Sequence, residues 1–367
     1  MLFFNHPTRE PEPHSQPEVL LADVAPEQPI LWLGMSGFGP QQRAALDASL
    51  RRSTALPQWR TCAFGDADAW WVNGAKVSVL PGGNLKVAAG LPTEHALKLN
   101  LKDAHRPIGF ATPLPPEFEP RCTFSVDSRP SIQAALLQFD SWLRPVRSHF
   151  VLGARIIQRS WELRHGIFHV SHGGTLLAVL DFRTGNASLS PDAHPVDLWE
   201  ARWDRRPAGA SGLPPGFARF TPTQFAWAYV RRTDRDLLPP RYGSELIYFR
   251  HVPKVPLQWL SDSQLMLVRE LAGEPSTLEG LRQRTGFTLS STRYDLTCLY
   301  YAGSITTTRD KAAKPMGRRR DSEPNASTAP DLDSLLNKEA AAHPATDFTA
   351  PATLEHRRML ADDPEGS

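Results

Sequence analysis

Cysteine is scarce in this chain: three in 367 residues, at positions 62, 122 and 298. An odd, scattered set supports neither a disulfide framework nor a CxxC metal knuckle. Cys62, Cys122 and Cys298 therefore read as reduced, small hydrophobic residues. Long apolar runs are lacking too. None approaches the ~18 residues of a membrane span. Met1 to Glu18 has no basic start, no sustained apolar run and no small-residue cleavage site, so it does not read as a signal peptide. A cytoplasmic location is the expectation. Nor is either charge in excess: 41 Lys and Arg face 39 Asp and Glu, a net of +2. That excludes a whole-chain field directed at nucleic acid or membrane. No GxGxxG, GxxxxGK[ST] or GxSxG stands anywhere, and Gly82-Gly83 reads as a turn rather than a phosphate cradle.

What the chain does have is proline, 34 residues of it, and enough length for two domains or more. Residues 1–27 are rich in Pro, Glu and His and read as a disordered arm. Residues 309–367 read the same way, with two opposed charge blocks. Arg309 to Arg320 carries a net of +5, and Asp321 to Ser367 a net of −7. Within that tail, Asp331 to Ala342 reads as a transient helix too short to be stable alone.

Residues 28–145 alternate strand and helix patterns, which predicts an open α/β sheet. Ile30 to Phe38 is a continuous apolar run suited to a buried parallel strand. A helix opening at Pro40 follows. Trp59–Phe64, Asp68–Ala75, Arg106–Leu114 and Cys122–Val126 read as strands, and Ser131–Leu143 as an amphipathic helix with an N-cap serine. Residues 146–255 change to hairpins with Gly-containing turns around 173 and 185, then a helix capped at Thr221 or Thr223. This predicts a small β-rich α+β region. Residues 256–308 read as three short helices: one capped at Ser261, one with a Ser276–Glu279 capping box, and one starting near Ser290. A short strand or wing follows. That pattern predicts a winged helix-turn-helix module.

The strand and helix order of 28–145 resembles a response-regulator receiver domain, a flavodoxin-like fold. The resemblance implies an acidic pair after the first strand, a phosphoacceptor Asp ending the third, and a lysine on a later strand. Here Gly34, Met35 and Ser36 end the first strand, Asn73 ends the third, and Arg106–Leu114 holds no lysine. The implied domain is a pseudo-receiver that docks partners without taking a phosphoryl group. The plainer account of Asn73 is that it caps a turn with Gly74.

His165, His169 and His172 invite a zinc reading. No Asp, Glu or Cys completes a local set, so they read as ordinary strand histidines. Arg155 and Arg159, with Asn186 and Ser188, resemble the RxxxR and [DN]xSxxG elements of PilZ domains. That resemblance implies a cyclic di-GMP site in which paired guanidiniums hold phosphates and stack on guanine. Pro191 stands where the last Gly of that motif belongs.

The third helix of the C-terminal module offers Ser290 and Arg293 toward a partner. Its module, residues 261–308, has four arginines and five acids, a net of −1. Little non-specific DNA affinity follows from that balance, so DNA contact would fall to Arg318, Arg319 and Arg320. No cofactor and no catalytic constellation is expected. The sequence reads as a non-catalytic regulatory protein acting through a protein partner. DNA binding and cyclic dinucleotide binding stand as the alternatives.

Overall fold

The computed structural model describes residues 27–51, 57–102, 104–210 and 212–314. Most of the expected N-terminal arm, the 331–342 segment and Arg318 to Arg320 lie outside the described residues.

The chain enters through β1 (Ile30–Ser36), whose positions are nearly all buried, and turns into α1 (Pro40–Arg51). Pro40 begins that helix at no cost, because a first-turn N–H has no helical acceptor. Leu46 and Leu50, one turn apart, face the sheet. Strands β2 (Gln58–Cys62) and β3 (Ala69–Asn73) follow. The next crossover is not a helix. It is an antiparallel meander of β4 (Val77–Leu80), β5 (Asn84–Val87) and β6 (Leu97–Asn100). The Gly82-Gly83 turn joins its first two strands, both glycines at positive φ. Strands β7 (Ile108–Ala111) and β8 (Thr123–Phe124) complete a five-stranded sheet in the order β2-β1-β3-β7-β8, all parallel.

Helix α2 (Arg129–Trp142) is capped by Ser128, not Ser131. The Ser128 hydroxyl accepts from the Ser131 N–H, and Ser131 itself bonds back to the Ser125 N–H. Side-chain alternation sends Leu31, Leu33, Trp59 and Trp71 to the face covered by α1 and α2. Val72 and Phe110 go to the opposite face, under Val77, Leu85, Val87 and Leu99 of the meander. Each large side chain buried this way contributes roughly 1.5–3 kcal/mol.

Pro145 lacks the N–H that would continue α2, so a new helix, α3 (Arg144–Gln158), starts at the break. It spans the 145/146 position and carries the chain into a second core. Strands β9 (Ile167–His172), β10 (Thr175–Asp181) and β11 (Asn186–Leu189) form the two expected hairpins. Next come α4 (Pro195–Glu200), β12 (Arg202–Arg206), β13 (Ala218–Phe220) and α5 (Pro222–Val230). Thr221 caps α5 through a full capping box with Gln224. The sheet order is β12-β9-β10-β11-β13, antiparallel throughout. Helices α3 and α5 pack together so tightly that a Cβ on Gly153 would lie 2.0 Å from the Phe225 carbonyl oxygen.

The last region holds β14 (Tyr248–Phe249), α6 (Asp262–Gly273), α7 (Leu278–Thr285), α8 (Leu289–Tyr301) and β15 (Ile305–Thr306). Ser261 caps α6 through a capping box with Gln264. Thr277, not Ser276, caps α7, accepting from the Gly280 N–H. Ser276 instead pairs through its backbone with Ile247. Thr288 caps α8, so that helix starts just before Ser290. Strand β15 pairs with β14, which precedes the helices, and the chain then turns through Arg309–Lys311. Among the described residues no hairpin wing follows α8. Leu238, Tyr242 and Ile247, all upstream of residue 256, are buried in this third core.

Candidate functional site

The carboxyl ends of parallel strands are where open α/β sheets place their chemistry. Here that end is closed. Asn73, 6% exposed, donates from Nδ2 to the Gly37 carbonyl at 2.9 Å and to Gln42 Oε1 at 3.3 Å. Its Oδ1 accepts from the Ala75 N–H at 3.2 Å, so it caps the short turn at Gly74. The Arg43 guanidinium bonds the Met35 and Phe38 carbonyls and pairs with Glu94. Glu94 in turn takes the Gly90 N–H at 3.1 Å. The Gly90 backbone lies so close to Phe38 that a Cβ there would stand 2.3 Å from the Phe38 carbonyl oxygen. The loop that joins β5 to β6 within the meander thus seals the crevice beside Gly34 to Gly37, and the carboxylate at its rim is already paired.

The second predicted cluster does not assemble. Arg155 donates to the Trp199 carbonyl at 2.5 Å and lies over the Trp199 ring at 4.0 Å. Arg159 bonds Glu162 at 2.9 Å and sits over Trp203 at 5.3 Å. Asn186 is exposed and donates to Thr184, while Ser188 is fully buried. The arginines contact α4 and β12, and the Asn and Ser belong to β11. Strands β9 and β10 lie between β12 and β11, which are therefore three strand spacings, about 14 Å, apart.

The three histidines also part company. His169 bonds the Ala210 carbonyl at 3.1 Å, His172 approaches Glu200 at 4.0 Å, and His165 occupies a left-handed turn at φ +58°. Among the described residues no three His, Cys, Asp or Glu side chains converge on one point. Burial pushes the Cys62 and Cys298 thiols up to about 12 and Cys122 up to about 11, so none is a ready thiolate.

One segment that joins distant parts of the chain was not singled out in the sequence. It is the stretch Tyr229 to Asp236, leaving α5. The Arg232 guanidinium meets Asp68 at 2.5 Å with both side chains about nine-tenths buried, and the Arg232 carbonyl accepts the Ile30 N–H at 2.8 Å. Glu27, placed by sequence in the disordered arm, joins Tyr229 and Arg235, each at 2.9 Å, and Thr233. Asp234 pairs with Arg60, and Arg231 donates to the Asp66 carbonyl at 2.8 Å. In the other direction the Arg231 carbonyl accepts from the Tyr294 hydroxyl at 3.2 Å, and Asp236 pairs with Arg293 at 2.5 Å. The strap therefore ties the parallel sheet to α8. A sixfold run of charged or polar residues looks in sequence like a solvated surface turn. Only its position, straight after the apolar Phe225–Val230, hints otherwise.

Helix α8 is held on two sides. Leu296 and Leu299 enter the third core, while Cys298 and Ala302 enter the core of the antiparallel sheet. Arg293 is engaged by the strap, and Ser290 stays exposed at the helix start. No helix of the described residues is long and apolar enough to cross a membrane. Comparison of the chain with family models, curated proteins and solved structures yields no match.

Proposed function

We propose that this chain is a non-catalytic regulatory protein that works by docking a protein partner. On this reading its first region is receiver-like and takes no phosphoryl group, and its last is a relative of the winged helix-turn-helix. The strand order β2-β1-β3-β7-β8 supports the first part, because it matches the flavodoxin and receiver order. The single observation that carries the proposal is the sealed carboxyl end of that sheet. Asn73 spends its amide on Gly37, Gln42 and Ala75, and Glu94 is committed to Arg43. A metal-assisted phosphoryl transfer needs free, converging carboxylates there. The two-sided burial of α8 and the pairing of Arg293 favour protein docking over insertion into a DNA groove.

Two assays on the full chain test this. Incubation with Mg²⁺ and labelled acetyl phosphate is expected to leave the protein and its Asn73→Asp variant unlabelled. An acid-stable, base-labile acyl phosphate on either would overturn the closed-crevice reading. Fluorescence anisotropy of mixed-sequence duplex DNA is expected to show no salt-dependent binding. Binding abolished by charge reversal at Arg318, Arg319 and Arg320 would replace protein docking with DNA recognition.

A further inference from the structure

The antiparallel sheet ends in β12 on one side and β13 on the other, and the β12 edge has an unusual flank. Strand β12 bonds only to β9, and among the described residues no other backbone group reaches Arg202 to Arg206. Its outer row of backbone donors and acceptors is a template for a further strand. Alternation sorts its side chains. Arg202, Asp204 and Arg206 stand on one face, and Trp203 and Arg205 on the other. On the first face two guanidiniums share one carboxylate: Arg202 meets Asp204 at 2.9 Å and Arg206 meets it at 3.9 Å. On the second face Trp203 lies beneath Arg159, and in the turn that follows Arg159 along the chain Trp161 has 72% of its surface exposed. No other large hydrophobic side chain among the described residues is as exposed. Trp and Arg are the residue types that most often anchor protein interfaces.

The geometry points to β12 as a docking edge for an acidic, extended segment of a partner protein, which adds to the sheet as a sixth strand. Carboxylates four positions apart would meet Arg202 and Arg206, an uncharged polar residue midway would face Asp204, and apolar residues on the other face would lie beside Trp203. The charge pattern of the edge selects this occupant. Five residues with three guanidiniums and one carboxylate leave an excess of two positive charges. A second copy of the chain fits poorly. Full antiparallel overlap of β12 with itself places Asp204 against Asp204 and Arg202 against Arg206, and like charges directly opposed are unfavourable. The inference rests on the protein-docking reading for its choice of a polypeptide. The phosphoryl and DNA assays do not involve β12, so failure of that reading and failure of this one are separable.

The test uses the full chain and a short fluorescein-labelled peptide of Val and Thr that carries Asp or Glu at two positions four residues apart. Anisotropy is expected to report binding that weakens at least about tenfold in Arg202→Glu/Arg206→Glu, the loss typical of removing desolvated charge contacts. The milder Arg202→Gln/Arg206→Gln pair should fall between. A peptide with Lys in place of the acids is expected to bind only the Glu variant, which shows that the variant edge is still folded. N-methylation of every amide should abolish binding, because a strand without donors cannot join a sheet. Equal binding of the N-methylated peptide would reduce the effect to diffuse charge attraction and overturn the proposal. Indifference to the Arg202/Arg206 variants would overturn it equally. Sedimentation showing a dimer lost in Arg202→Glu/Arg206→Glu would assign the edge to a second copy instead.

Discussion

The parallel sheet is enclosed on both faces, by α1 and α2 on one side and by the three-stranded meander on the other. The antiparallel sheet also has five strands, but α3 and α5 cover one of its faces while the loop after β12 reaches across the other. The loop's contacts there are polar: Ala210 meets His169, and Ala208 meets Arg183. In the parallel sheet β1 and β3 are nearly all buried, and the strand ends carry closed hydrogen-bond sets. In the antiparallel sheet an edge strand stands open and its polar side chains face outward. Each sheet keeps an edge strand with no outer backbone partner among the described residues, β2 in the first and β12 in the second, and the two differ in charge: three of the five β12 residues are arginines, against one of five in β2.

The largest expected effect comes from the tightest contact in the second core. Gly153→Val would drive side-chain atoms into the Phe225 carbonyl and should cost 3 kcal/mol or more, about the top of the overpacking range. Gly209→Val, in the loop where a Cβ meets nothing within 4 Å, should stay within about 0.5 kcal/mol. Denaturant midpoints of the two variants measure the difference directly. Equal midpoints would mean that the α3–α5 contact is not a constraint.

Next is the ion pair that joins the two sheets. Asp68→Asn leaves the Arg232 guanidinium buried without its counter-charge and should cost about 3 kcal/mol. Asp68→Asn combined with Arg232→Met should recover a large part of that. A double variant no better than the single one would show that the strap's backbone bonds, rather than its charges, hold the sheets together.

A smaller effect should track pH. His149 packs edge-on against Phe220 and Phe225, at 4.6 and 5.3 Å between ring centres. Burial, with Arg232 adding repulsion, pushes its imidazole down to about 3. The folded state thus favours the neutral ring, and its contribution is complete above the unfolded value near 6.5. It is lost as pH falls from there toward 3, by at most about 1.4 kcal/mol per pH unit. His149→Phe should flatten the melting temperature between pH 6.5 and 4.5. An unchanged slope would assign the acid sensitivity to other groups. The smallest change belongs to Trp161→Ala, expected within about 0.5 kcal/mol, because the side chain is mostly in water already. A larger loss of stability would show that Trp161 supports the fold.

The parts of this architecture with a local cause were legible in the sequence. The Ile30–Ser36 run, the Gly-Gly and Thr-Gly hairpin turns, and the caps at Thr221 and Ser261 all follow from residues a few positions apart. The meander was missed because each alternating run, Val77–Val79, Leu85–Val87 and Leu97–Leu99, is only three residues long, and its inner face is completed by Val72 and Phe110 from other strands. Caps went astray by a few residues at Ser131 and Ser276, where two hydroxyl residues compete and the tertiary bond to Ile247 or Ser125 decides. The PilZ-like arginines matched a spacing, but no spacing reports that Trp199 and Trp203 would claim them. The strap was illegible for the same reason. Its partners Glu27, Ile30, Asp66 and Asp68 precede it by more than 150 residues, and charge alone does not reveal burial.

That separation has a consequence for how the chain is made. Glu27 and Thr233 are 206 residues apart, and β1 cannot receive its bond from Arg232 until the strap has been synthesised. At 5–20 residues per second, a ribosome needs roughly 10–40 s to cover that distance. The parallel sheet is complete once Phe124 and α2 have emerged, so it must wait with Asp68 Oδ1 and the Ile30 N–H uncommitted. Translation speed through residues 143–236 therefore sets how long the finished sheet exposes those groups to the machinery that screens unfinished proteins.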